Sequence, residues 1–76
     1  MLARTIVYTI DGREFYGDSA EMTEKEFETN KELYENFFEN NEFKKLNYIK
    51  IYRGEGVLYF HPDNIIGVEL EKIEYE

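Results

Sequence analysis

Apolar and polar positions alternate every second residue over residues 4–10 (RTIVYTI), placing Ile6, Tyr8 and Ile10 on one side and Thr5, Val7 and Thr9 on the other. Asp11-Gly12 follows, and the alternation resumes at Arg13 to Gly17. An Asp-Gly pair between two such runs predicts a two-residue type I′ hairpin, because that turn needs positive φ at both central residues. In that register Ile10 faces Arg13, Tyr8 faces Phe15 and Ile6 faces Gly17. Ile6, Tyr8, Ile10 and Phe15 would then share a core-facing surface.

The period changes to that of a helix between Glu24 and Asn41. Thr23 and Glu26 have capping-box spacing, with Met22 and Phe27 placed for the hydrophobic staple that accompanies it. At 100° per residue, Phe27, Leu33, Tyr34, Phe37 and Phe38 fall within about 140°, which is one packing face. Asn40-Asn41 predicts the stop, since Asn tolerates the left-handed conformation that ends many helices. Alternation then returns at residues 47–53 (NYIKIYR), with Ile49 and Ile51 opposite Tyr48, Lys50 and Tyr52. Gly54-Glu55-Gly56 turns the chain into Val57–Phe60. Pro62-Asp63-Asn64 turns it into Ile65–Leu70, running on toward Tyr75. The order β-β-α-β-β-β predicts a single small α+β domain over residues 1–76. Its sheet is four- to five-stranded, mostly antiparallel and strongly bent, with one amphipathic helix on one face.

Composition narrows the functional classes. Seventy-six residues carry 9 Lys+Arg against 17 Asp+Glu, a formal charge of −8, with no Cys, one His, 6 Phe and 7 Tyr. Without Cys there is neither a disulfide framework nor a thiolate site, so a core this small must come from apolar and aromatic packing. No apolar run of membrane-spanning length or signal-peptide pattern occurs, so the expected setting is cytoplasmic with no membrane partner.

Charge is placed unevenly. Glu24, Glu28, Glu32, Glu35, Glu39 and Glu42 fall within about 80° of the helical wheel, with Lys25 and Lys31 outside that stripe. Like charges at this spacing cost an isolated helix about 0.2–0.5 kcal/mol per pair. The stripe is either a solvated face that keeps the chain soluble or a docking surface for a protein with a basic surface. A row of carboxylates along a rod can also imitate phosphates, giving an inhibitor of a DNA- or RNA-binding enzyme. Calcium is not expected, because no loop carries the converging oxygens of a D-x-D-x-D-G pattern.

If the helix covers the face bearing Ile6, Tyr8, Ile10, Phe15, Ile49 and Ile51, the opposite face carries Val7, Tyr16, Tyr48 and Tyr52. Tyr59 could join them, depending on the register of its strand. That face is either buried by a curling sheet or exposed as an interface for a partner or a second copy. Nucleic acid also stacks on aromatic rings, but it needs a basic groove, so direct nucleic-acid binding is not expected. Catalysis has little to work with. His61 and Ser19 lie in different segments, and no phosphate loop or dinucleotide fingerprint appears. No catalytic, cofactor or metal residue is assigned.

Two stretches carry a family resemblance. Gly12-Arg13-Glu14-Phe15-Tyr16-Gly17, after a T-x-D lead-in, resembles the first motif of Sm-like proteins. Asp63–Leu70 resembles the closing strand of their second motif. About 20 residues are covered. The resemblance implies a small, strongly bent sheet or partial barrel. The family's nucleotide-contacting positions are not matched: no D-x-x-x-N arm follows Gly17, and His61-Pro62 replaces Arg-Gly. Its RNA binding is therefore carried over to no residue. The texture of the chain, rich in Phe, Tyr, Asn, Ile, Lys and Glu, is similar to short accessory proteins of AT-rich bacterial, phage or mobile-element genomes. The expected function is a non-catalytic protein–protein interaction module, a small accessory or regulatory protein. The alternatives are the nucleic-acid mimic and a homodimeric component of a larger assembly.

Overall fold

A computed structural model describes residues 1–73 and shows an α+β fold: one helix and six antiparallel strands in two sheets, neither closed into a barrel. The strands are β1 (Leu2–Thr9), β2 (Glu14–Tyr16), β3 (Ala20–Glu21), β4 (Ile49–Arg53), β5 (Gly56–Phe60) and β6 (Ile65–Ile73). Helix α1 spans Glu24–Glu39, between β3 and β4. The expected continuation of the last strand toward Tyr75 lies outside the described residues beyond Ile73.

Strand β1 is the spine. It pairs with β6 along one side, and with β2 and then β3 along the other. Its β-branched residues suit a strand packed on both faces, and Ile6 (2%) and Val7 (0%) are almost inaccessible although they point to opposite sides. Between Tyr8 and Thr9 the β1–β6 register slips by one, so Ile66 has no partner on β1. The bulge separates two adjacent isoleucines: Ile65 is buried and Ile66 exposed. The two-residue strand β3, which the sequence pattern does not announce, pairs with Leu2 and Ala3.

The first hairpin differs from the expected one. The Thr9 amide donates to the Arg13 carbonyl at 3.0 Å and the Gly12 amide to the Thr9 carbonyl at 3.0 Å, so three residues form the loop. Only Gly12 has positive φ (85°), whereas a type I′ turn would need it at Asp11 too. The Asp11 carboxylate explains the preference, because it accepts from the Thr9 hydroxyl, the Arg13 amide and Arg13 Nε. These bonds, the Thr9 contribution first, hold Asp11 below its ordinary pKa. The extra loop residue moves the register by one, pairing Ile6 with Tyr16, Val7 with Phe15 and Tyr8 with Glu14. Phe15 therefore joins Val7 rather than Ile6 and Tyr8, and the two faces of the sheet exchange the roles expected of them.

Helix α1 begins as its capping box predicts: Thr23 Oγ1 accepts from the Glu26 amide at 3.1 Å, and Glu26 Oε1 accepts from the Thr23 amide at 3.2 Å. Its last residue is Glu39, and Asn41 adopts the left-handed conformation at φ 56°. The helix lies over the Thr5–Val7 face, where the Tyr34 and Thr5 hydroxyls are 3.2 Å apart. Phe38 stacks on the buried Phe43 at 4.3 Å in the 3-10 turn Glu42–Lys45. Leu33, expected on the packing face, is 58% exposed because it lies at the edge of the apolar arc beyond the reach of the sheet.

Strands β4 and β5 form a separate hairpin whose two-residue turn starts at Gly54 (φ 60°), as a type II′ turn requires. Ile51 packs with Val7 and Ile65 in the core, and Phe15 meets Phe60 edge-on at 5.1 Å. The hairpin is fastened to the main sheet at the β2–β3 connection. The Asp18 amide donates to the Tyr52 carbonyl at 3.0 Å, and the Asp18 carboxylate accepts from the Gly54 amide at 3.0 and 2.9 Å.

Candidate protein-interaction surfaces

The acidic stripe forms on α1, but with five members. Glu24, Glu28, Glu32, Glu35 and Glu39 are exposed helical residues along about 22 Å of axis. Glu42 falls in the 3-10 turn after Asn41 has broken the helical phase, so it does not continue the row. Among the described residues, no cation lies within ion-pair distance of any of the six.

The expected aromatic face is split between two places. Tyr16 is on the outer face of the main sheet, opposite Ile6, where the Arg4 guanidinium lies 4.4 Å from its ring centroid and its hydroxyl donates to Glu14. Arg4 also pairs with Glu71 at 2.8 Å, and the Tyr8 hydroxyl donates to Glu69 at 2.8 Å. Ile6 is thus covered by its neighbours' polar side chains rather than by the helix. The bond to Glu69, with burial and the nearby carboxylates adding to it, pushes the Tyr8 phenol up to about 12. Tyr16 is raised too, chiefly by its bond to Glu14.

Tyr52, and Tyr48 just before β4, belong instead to the hairpin, a different sheet from that of Tyr16. Tyr48 packs edge-on against Tyr59 at 5.3 Å, and Lys50 Nζ lies 5.2 Å from the centroid of the Tyr52 ring. Lys50 titrates above its ordinary value, first through its interaction with the Tyr52 hydroxyl. Exposures of 52, 60 and 63% for Tyr48, Tyr52 and Tyr59 identify this as a true surface cluster. Tyr59 joins it because β4–β5 pairing sets Tyr59 opposite Lys50.

Beside the cluster, an open groove of about 610 Å³ runs between α1 and β4. Phe37 and Phe38 form one wall, Ile49 and Ile51 the other, and Val7 and Val68 the floor; Tyr48, Lys50 and Tyr52 stand at its edge. It exists because α1 leans toward β6 while Asp18 pins the hairpin from the opposite side, leaving the helix with no fully buried residue. The sequence pattern could not reveal it, because it arises between elements.

One signal was present in the sequence. The ten residues from Lys44 to Arg53 contain Lys44, Lys45, Lys50 and Arg53 and no Asp or Glu. Four of the nine cations of an acidic chain thus sit on the segment that builds one groove wall. Among the described residues, none of the four is within ion-pair distance of a carboxylate.

His61 accepts from the Asp63 amide through Nδ1 at 3.2 Å and caps the 3-10 turn Pro62–Asn64, while Ser19 lines the groove. Among the described residues, no three His, Asp or Glu side chains converge as a metal site would require. No described helix is long and apolar enough to cross a membrane. Comparison with protein-family models, curated proteins and solved structures finds no match to this chain.

Proposed function

We propose that the protein is a non-catalytic interaction module, a small acidic accessory or regulatory protein that binds another protein through its β4–β5 hairpin. The observation that carries this reading is the clustering of Tyr48, Tyr52 and Tyr59, each more than half exposed, with Tyr48 and Tyr52 also lining an apolar groove. Tyrosine brings large contact area with few rotatable bonds and a polar tip, and is enriched at interfaces for that reason. The glutamate stripe is on another face of the helix that walls the groove, and contributes long-range steering toward a basic surface.

The five unpaired glutamates favour a second reading, a nucleic-acid mimic that occupies the basic groove of a DNA- or RNA-binding enzyme. One experiment separates the two. Immobilised wild type, Tyr48→Ser/Tyr52→Ser and Glu28→Gln/Glu32→Gln/Glu35→Gln/Glu39→Gln proteins are presented with extract of the source cell at low and high salt. Hairpin recognition predicts that the tyrosine pair abolishes specific capture while the glutamine variant retains it. Loss in the glutamine variant alone, at low salt only, would establish the mimic instead. A complex that forms only between copies of the chain, seen by sedimentation, would identify a homodimeric component.

A further inference from the structure

We infer that the groove between α1 and β4 is a peptide-binding site selective for a partner segment that carries one or two large apolar side chains flanked by carboxylates. The inference rests on the hairpin being the binding surface and names what that surface reads. Three observations converge on it. The groove opens over the core around Val7, and its volume of about 610 Å³ lies in the range of pockets that bury a ligand. Its walls are phenylalanine and isoleucine, which recognise apolar groups without fixing their orientation by hydrogen bonds.

The third observation is charge. Among the described residues Asp18 is the one carboxylate lining the groove, and both its oxygens face the Gly54 amide of the hairpin turn. Among the described residues Lys50 has no carboxylate within ion-pair distance; Lys44 and Lys45 lie in the turn leading into that wall, and Arg53 lies at its end. A cation-rich segment on a chain of net charge −8 is complementary to a ligand with acids beside its anchors, and it disfavours a basic one. Single-stranded nucleic acid shares the preference for rings and cations, but it brings a phosphate at every residue. Four cations cannot neutralise such a ligand against the overall charge of the chain.

The test is selection of a random nonapeptide library displayed on phage against the immobilised full chain. The expected result is enrichment of peptides in which Phe, Tyr, Leu or Ile is flanked by Asp or Glu. By fluorescence anisotropy, such a peptide should bind about tenfold more weakly to Lys50→Glu, since reversing one rim charge changes affinity by roughly that factor. Binding should be lost in Ser19→Trp, which fills the groove from an exposed lining position. Circular dichroism confirms that this variant folds; Leu46→Ser, at another exposed lining position, removes apolar surface without adding bulk. Failure to enrich any peptide, enrichment without an acidic bias, or tighter binding of decathymidylate than of the peptide would each overturn the inference. If the acidic bias is absent but the tyrosine pair still abolishes partner capture, the selectivity is wrong and the hairpin reading stands.

Discussion

Replacing Gly17 with valine tests how the hairpin is seated on the sheet. The Gly17 amide donates to the Thr5 carbonyl at 2.8 Å, and a Cβ at this position would lie 3.1 Å from Ile51 Cγ2 and 3.5 Å from the Tyr52 carbonyl oxygen. The Ile51 contact is a few tenths of an ångström tighter than side chains ordinarily tolerate. Alanine would introduce that strain but also restrict the unfolded chain, a gain of about 0.4–1 kcal/mol, so Gly17→Ala should be nearly neutral. Valine adds two methyl groups to a filled space, and such overpacking costs about 1–3 kcal/mol. The net expectation is a loss of about 1–2 kcal/mol. With a urea m-value near 1 kcal/mol/M for a small domain, the midpoint falls by about 1–2 M. Ile51→Leu removes the Cγ2 branch at nearly constant volume, so a double-mutant cycle isolates the contact. Gly17→Val should be at least about 0.5 kcal/mol less costly in the Ile51→Leu background. If the two substitutions are additive within about 0.3 kcal/mol, the close approach is not what limits the position and the seating described above is wrong.

Two further outcomes concern the helix start and the outer sheet face. Thr23→Ala removes the acceptor of the Glu26 amide and should destabilise the protein by about 1 kcal/mol in thermal or urea unfolding, while Thr23→Ser should recover most of it. The Tyr8 phenol, raised to about 12 in the folded protein, titrates near 10 when unfolded. Its contribution to stability is therefore fully present below pH 10 and is lost as the pH rises through the window from 10 to 12. Ultraviolet absorbance of tyrosinate should show a late-titrating phenol that disappears in Tyr8→Phe and shifts toward 10 in Glu69→Gln; a late phenol that survives both would place the perturbed group elsewhere.

Local signals in this sequence were sufficient where one bond network decides the outcome. Thr23 and Glu26 specify the helix start through two reciprocal bonds, and Asn41 specifies its end through one backbone angle. The alternation of Ile49 and Ile51 likewise places Ile51 in the core. The first hairpin shows the limit. Asp-Gly is compatible with a two-residue or a three-residue loop, and the choice was made by the Asp11 carboxylate bonding to Thr9 and Arg13 rather than by the propensity of the pair. Because strand side chains alternate with period two, that single residue reassigned every side chain on the returning strand. Phe15 packs in the core as expected, but beside Val7 rather than Ile6, and Tyr16 lies beside Ile6 against Arg4, apart from Tyr48 and Tyr52. Strand β3 was invisible for a related reason, since two residues carry no periodicity and their pairing with Leu2 and Ala3 is purely tertiary.

Net charge misleads in the same way that average hydropathy does, because a sum erases position. Taken as a whole, −8 suggests that any partner must be basic and that the helix is where it would land. Yet the glutamates sit on an exposed face of the helix, so a contact there would be screened within about 8 Å at physiological salt. The cations between Lys44 and Arg53 are fewer, but they sit on the segment that supplies one groove wall, and Lys50 lines the groove beside exposed tyrosines. There a bound side chain excludes water, and each remaining charge acts through a medium of lower dielectric. Charge placed beside removable apolar area selects a ligand; charge spread on a solvated rod mainly keeps the chain apart from its own copies. On the proposed reading, the electrostatic minority of this protein is therefore the better guide to what it binds.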